Sequence, residues 1–299
     1  MLRGPRGSEL HRLDAGCVEQ PVGGRFRLED SGTIAVAIAV AGLALAALAC
    51  LLGAYLVYKL RQVHRTLYGT DFIVRTLSRS VSQNLQNLEL LTQELQLHKP
   101  LPPLRGWAAS PDILLVMARH VQRAAPAVIV ECGSGASTVV LAQAARLNGR
   151  GHVYSIDHDG AFAEESRTML ARYGLSDWAT ITHAPLAEVP ISGSRWEWYD
   201  LDRLPETPPI DLLFIDGPPA DTPKPLARYP AGPMLFPRLA PGAVVFADDT
   251  DRPGEIEVLR RWASEFPALS QYAHFCEKGC HELRAGEAPA DLSEERQAV

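Results

Sequence analysis

The sequence predicts an α/β domain built on a doubly wound parallel sheet, preceded by one transmembrane helix and a helical coiled-coil stalk. Three observations carry this reading. Ile34 to Tyr58 holds 25 residues without a charge. An apolar heptad follows it, and from Trp107 onward short apolar segments alternate with helical ones. At 299 residues the chain has ample length for a core, and 46% hydrophobic with 21% charged residues is ordinary for a globular protein. A net charge of −6 with no Lys/Arg-rich block excludes a general attraction to nucleic acid. Cys17, Cys50, Cys132, Cys276 and Cys280 are too scattered for a disulfide framework, which points to a reducing compartment.

Taken in order, residues 1–33 form a polar, mixed-charge segment expected to be disordered, and residues 34–58 the transmembrane helix. The uncharged run exceeds the roughly 20 residues that cross a bilayer as a helix. It is too long for the apolar part of a signal peptide, and the charged segment ahead of it is also unlike one. "ALAC", ending at Cys50, has the form of a lipoprotein cleavage site, but the apolar run continues beyond it. Lys59, Arg61, Arg65 and Arg75 crowd the C-terminal flank, whereas only Arg25 and Arg27 lie close on the other side. The positive-inside rule then places the bulk of the chain in the cytoplasm, as a single-pass protein of the inner membrane.

Residues 59–99 carry the heptad. Leu60, Leu67, Val74, Val81, Leu88 and Leu95 are spaced by seven, with Val63, Thr70, Leu77, Asn84, Leu91 and His98 three further on. This is the pattern of a coiled-coil seam, with Asn84 as a register-fixing polar position, and it suggests a homo-oligomer through residues 60–98. The alternative is one amphipathic helix folded back on the domain or lying on the membrane. Pro100, Pro102 and Pro103 end the helix.

The domain is expected over residues 100–285. "PDILLVMARHVQRA" reads as a helix with Pro111 in its first turn. "AVIVEC", "HVYSID", "WATITHA", "IDLLFID" and "GAVVFAD" read as buried strands, with "ASTVVLAQAARL" and "GAFAEESRTMLARYG" as helices following the first two. "PGEIEVLRRWASEF" is a late helix, and "SQYAHFCE" and "CHELRA" are two closing strands around a turn at "EKG". That turn, rather than a zinc knuckle, accounts for the spacing of His274, Cys276, Cys280 and His281. Residues 286–299 form a polar tail expected to be disordered.

"VIVECGSGAST" joins the first strand to the next helix through Gly133 and Gly135, the form of a nucleotide-binding turn. Asp157 ends the second strand, 22 residues beyond Gly135, where an acid can take both ribose hydroxyls. A dinucleotide fingerprint places Gly or Ala at the position that holds Thr138 here. Glu131 lies ahead of the first glycine, where a carboxylate suits a ligand with an ammonium and a sulfonium better than a pyrophosphate. Asp216, Asp248 and Asp249 end the fourth and fifth strands, an oxygen-only set suited to Mg²⁺ or another hard divalent cation, or to a base role for Asp216 or Asp249 without metal. "FADDTDRPGE" also reads as a helix start with Asp251 as its cap, and Trp196, Trp198 and Tyr199 as packing more than as an acceptor pocket.

"VIVECGSGAST" with "VYSIDHD" resembles the first two motifs of class I S-adenosylmethionine (SAM) dependent methyltransferases. "WEWYD", "IDLLFIDGPPA" and "GAVVFADDTDRPGE" extend the likeness to a bacterial group akin to the catechol-type O-methyltransferases, over about residues 100 to 285. The resemblance implies a Rossmann-like sheet of seven strands, the last antiparallel. It implies that Glu131, Gly133, Gly135, Ser137 and Thr138 border the methionine part of SAM, with Asp157 on the ribose and His158 beside the adenosine. It further implies an Asp, then Asp-Asn metal set at the positions of Asp216, Asp248 and Asp249, with a lysine base where this chain has Pro219. The function so implied is methyl transfer to a hydroxyl on a small-molecule or lipid-linked acceptor. An NAD(P)-binding oxidoreductase and a non-catalytic membrane scaffold are the rivals.

Overall fold

The computed structural model describes residues 28–104, 106–219 and 226–286. Lys224, most of the expected N-terminal polar segment and nearly all of the expected tail lie outside the described residues. The chain divides into two compact units, Met1–Ile73 and Val74–Val299.

One helix, α1, runs from Leu28 to Glu94, so it starts ahead of the expected Ile34. In the first unit its apolar side chains are exposed, with Leu43 at 72% and Leu51 at 69%. The stretch Gly32–Leu67 is long and apolar enough to cross a membrane, and its most apolar window (mean hydropathy 2.7) is not buried within the protein.

In the second unit the last turns of α1 belong to the domain. Leu91 and Leu95, both expected on the coiled-coil seam, are fully buried in the domain's own core. Asn84 Nδ2 donates to Glu277 Oε2 at 2.6 Å, Gln143 Nε2 donates to the Leu95 carbonyl at 2.6 Å, and Arg119 pairs with Glu94 at 2.6 Å. This end of the helix therefore follows the fold-back alternative, and the compact unit opens at Val74 rather than at the proline-rich stretch near residue 100.

After α2 (Pro111–Ala124), β1 (Val128–Cys132), α3 (Ala136–Asn148), β2 (His152–Asp157), α4 (Gly160–Tyr173) and β3 (Ala179–His183) wind out to one edge of the sheet. The chain then crosses to β6 (Ile210–Ile215), α5 (Ala231–Leu235), β7 (Leu239–Asp248), α6 (Pro253–Glu265), β8 (Leu269–His274) and β9 (Cys280–Ala285). Strand order is β3-β2-β1-β6-β7-β9-β8, with β9 antiparallel to both its neighbours. All seven expected strands are present, and the last is antiparallel as the resemblance implies. The central strands β1 and β6 are buried along nearly their whole length, as strands covered by helices on both faces are. One core packs α2 and α3 with Leu91 and Leu95, and the other packs Trp198, Tyr199 and Trp262 against the opposite face.

Two details differ from the sequence reading. A separate two-stranded sheet, β4 (Leu186–Ile191) and β5 (Ser194–Tyr199), interrupts the crossing from β3 to β6. Its turn is Ser192–Gly193, with φ of 50° and 78°, the two positive values of a tight primed hairpin turn. The second is that α6 starts at Pro253 with Arg252, not Asp251, at the capping position. Asp251 is held instead by the β8–β9 turn, its N–H donating to the Lys278 carbonyl at 3.2 Å.

Leu95→Ala is expected to lower the unfolding free energy of the second unit by about 2–5 kcal/mol, the range for truncating a buried leucine. Leu60→Ala, at an exposed position of the first unit, is expected to leave that transition in place. Urea unfolding of both variants in detergent checks this.

Candidate active site

Strand order reverses between β1 and β6, and a crevice at the carboxyl ends of these strands is where such sheets bind ligands. The backbone there is tightly knit. The Cys132 carbonyl accepts from Asp216 N at 3.0 Å and Gly217 N at 2.8 Å, and Gly133 N donates to the Ile156 carbonyl at 2.8 Å. Gly133 has φ 98°, open to glycine but strained for other residues, and a Cβ on Gly217 would meet the Tyr199 hydroxyl at 2.1 Å.

On the β1 side the sequence-derived residues converge. Glu131 is fully buried at the end of β1 and accepts a 2.5 Å hydrogen bond from Thr138 Oγ1, which itself accepts from Gly135 N at 3.0 Å. Thr138 thus does in α3 what a capping residue does, and its hydroxyl explains why glycine or alanine is not needed there. Ser137 is buried in the same first turn. Glu131 Oε1 is buried with no hydrogen-bond partner. Burial pushes this carboxyl up to about 7, against the opposing effect of the Thr138 hydroxyl.

Asp157 closes β2. Its Oδ2 accepts from Ser134 N at 2.9 Å and Ser134 Oγ at 2.7 Å, and its Oδ1 accepts from Asp159 N at 3.0 Å. His158 Nδ1 lies 3.5 Å from Oδ1. Burial alone would raise Asp157, but the bonds from His158, Ser134 and Asp159 outweigh it and hold the carboxyl below its ordinary value. Asp157 is thereby kept ionised as an acceptor. Ser134, which orients it, stands inside the quoted motif at a position the sequence reading passed over.

On the other side of the switch point, Asp216, Asp248 and Asp249 meet as expected, with one carboxylate oxygen of each within 4.8 Å of the others. Asp249 has φ 59°, a left-handed conformation uncommon outside glycine and frequent at functional sites. At the centre of the cluster lies a residue the sequence did not reveal. Arg228 Nη2 donates to Asp216 Oδ1 at 3.2 Å and Asp249 Oδ2 at 2.9 Å, and Nη1 donates to the Asp248 carbonyl at 2.9 Å. Its Nε faces Glu255 Oε1 at 3.8 Å. Burial would lower Arg228, but Asp216, Glu255, Asp249 and Asp248 raise it further and fix its charge. Burial, then the Asp248 charge, push Asp216 well above the ordinary carboxylate range, and burial with the Asp249 charge brings Asp248 to about 6.

A hard divalent cation matches these oxygens by type, but not the cluster as built, because Arg228 already holds an oxygen of Asp216 and one of Asp249. No chemical step below runs through a metal. The cysteine–histidine group does not gather either: His274 Nε2 pairs with Glu282 at 2.7 Å and His281 Nδ1 with Thr250 Oγ1 at 3.0 Å. Of the aromatic trio, Trp198 and Tyr199 are fully buried in the core, as the packing reading expects. Tyr199 also reaches the site, its hydroxyl buried without a partner and its ring centroid 6.4 Å from that of His158.

Residues 130–250 match a family profile described as a methyltransferase domain, a stretch that holds every candidate site residue. Over that stretch the chain is similar to a methyltransferase domain. Among solved structures, the Bacillus cereus O-methyltransferase in complex with SAH is 20% identical, over 67% of this chain and 90% of that one, with a TM-score of 0.47. The Streptomyces achromogenes O-methyltransferase TomG, involved in tomaymycin synthesis and bound to SAM, is 20% identical over 68% and 90%, with a TM-score of 0.44. The SAH-bound Podospora anserina methyltransferase is 13% identical over 71% and 96%, with a TM-score of 0.46. No curated protein sequence matches the chain.

The buried Glu131 gives the second unit a pH signature. Its folded value near 7 lies above its ordinary 4.5, so the folded state holds the proton more tightly. The stability this contributes is full below pH 4.5 and is lost as pH rises to about 7. Glu131→Gln cannot ionise, so its stability relative to wild type is expected to increase across that window and level off above it. Urea unfolding of both proteins at a series of pH values measures the difference.

Proposed function

We propose that the protein transfers the methyl group of SAM to a hydroxyl of a small-molecule or lipid-linked acceptor, anchored in the inner membrane by one helix with its catalytic domain in the cytoplasm. The observation that carries this reading is the meeting, at one switch point, of a donor turn and a carboxylate cluster. The orphaned Glu131 Oε1 and the backbone cradle at Gly133 and Gly135 fit the cationic methionine end of SAM, and Asp157 fits its ribose. His158 borders the adenosine side.

SAM, when bound, supplies an electrophilic methyl whose departure leaves a neutral thioether. This chain's residues do the rest. Glu131, Ser137 and Thr138 hold the donor's orientation, which matters most for an in-line displacement. An acceptor hydroxyl must shed its proton as its oxygen attacks. Asp216 is the base best placed to take it, since its side chain is 14% exposed against 6% for Asp249. Asp249 lies behind it, on the same guanidinium nitrogen. The lysine of the resembled enzymes is absent, with Pro219 at that place.

The anchor reading draws on the unburied Gly32–Leu67 stretch and its basic C-terminal flank. The seam positions Leu60, Leu67, Val74 and Val81 are exposed and suit pairing of two copies.

The full chain in detergent is expected to bind SAM and not NAD in calorimetry. Binding of NAD without SAM overturns the reading in favour of an oxidoreductase. Asp157→Ala is expected to weaken SAM binding at least about tenfold, the loss of a buried charge-assisted contact. Incubation with methyl-labelled SAM and a membrane extract is expected to label an acceptor in an alkali-resistant ether, and SAM binding with no labelled product favours a scaffold. With that acceptor, Asp216→Asn is expected to slow transfer by about 10²–10⁴-fold at nearly unchanged SAM affinity.

A further inference from the structure

We propose that Arg228 stands where the resembled enzymes hold a divalent cation, so that the chain supplies the positive charge of its own carboxylate cluster and takes up no metal there. Three carboxylates brought within 4.8 Å at the ends of two adjacent strands repel one another and are costly to bury without a counter-charge. A divalent ion bridging them is one solution. The structure contains the other. A single nitrogen, Nη2, lies between Asp216 and Asp249 at 3.2 and 2.9 Å, the bridging place that an ion would take. The second terminal nitrogen ties the Asp248 carbonyl, and Glu255 Oε1 lies 3.8 Å from Nε, so both terminal nitrogens are held by hydrogen bonds and Nε faces a carboxylate. Its side chain is only 3% exposed. Arg252 adds a further positive group, with Nη1 3.0 Å from Asp249 Oδ2.

The chemistry of the replacement is specific. A guanidinium is permanently charged and its donors are directional, whereas a metal gathers oxygens from all sides. A metal on the same oxygens would sit against that fixed charge. The cluster would also keep its geometry at any divalent ion concentration. Arg228 is then a positioning residue for Asp216 and Asp249, and a lysine, with a point charge, would not span both. This inference concerns the cluster alone and does not depend on which molecule is methylated.

Manganese is the probe. The full chain in detergent is titrated with Mn²⁺ and the free ion is followed by electron paramagnetic resonance. Wild type is expected to leave millimolar Mn²⁺ free. Arg228→Ala is expected to bind one Mn²⁺ per chain at least tenfold more tightly, and Arg228→Ala with Asp216→Asn is expected to lose it. Where Arg228→Ala is unfolded without metal, recovery of its melting transition on adding Mg²⁺ supports the same conclusion. One Mn²⁺ bound by wild type and lost in Asp249→Asn overturns the proposal, because the cluster would then hold metal with Arg228 in place. A folded Arg228→Ala that gains no Mn²⁺ overturns it as well. The wild-type titration decides the question even when no Arg228 variant folds.

Discussion

The Cys132 carbonyl, shared by the N–H groups of Asp216 and Gly217, is the constraint on which the site depends. It pins the end of β1 to the end of β6, where the chain has wound out to one edge of the sheet and come back. The residues proposed to hold the donor hang from one side of that pin, and the carboxylates proposed to face an acceptor hang from the other. Side chains are disfavoured at this junction, since Gly133 has φ 98° and a Cβ on Gly217 would meet the Tyr199 hydroxyl at 2.1 Å. The distance between the two halves of the chemistry is therefore set by backbone, the least adjustable part of the molecule.

Around this pin the two halves solve opposite electrostatic problems. The β1 side buries two carboxyls, Glu131 and Asp157, and leaves Glu131 Oε1 unmatched, a place that suits a positive ligand. The acceptor side buries several carboxylates and completes them internally with Arg228. The first leaves an oxygen open and the second holds a cation of its own.

Much of this was legible in the sequence because it was carried by local patterns. Strand-length apolar runs closed by Gly133, Asp157, Asp216 and Asp248 marked the strand ends, and the donor residues lay within eight positions of one another or at the end of the next strand. Arg228 was not legible: it stands in a proline-rich loop, "PLARYP", with no periodicity, and its partners are 12 and 21 residues away across two strands. The β4–β5 hairpin left a weak signal in Ser192–Gly193, but its strands alternate poorly because Trp198 and Tyr199 are both buried. The fate of the heptad was undecidable from spacing alone, since the same apolar stripe serves a second copy or the chain's own core. Leu91 and Leu95 chose the core through contacts with α2 and α3, which lie later in the chain.

That choice bears on how the protein can be cut. "HKPLPPLRG" is the kind of segment at which a protease severs a soluble domain from its anchor. Here a cut at that place would not release a finished enzyme. It would strip Leu91 and Leu95 from the interior and Glu94 from Arg119, leaving a hydrophobic wound on the face that α2 and α3 share. A shed fragment would expose that wound to water and to other fragments. The last turns of α1 are thus part of the interior of the second unit, and clipping at the prolines would destabilise that unit rather than free it.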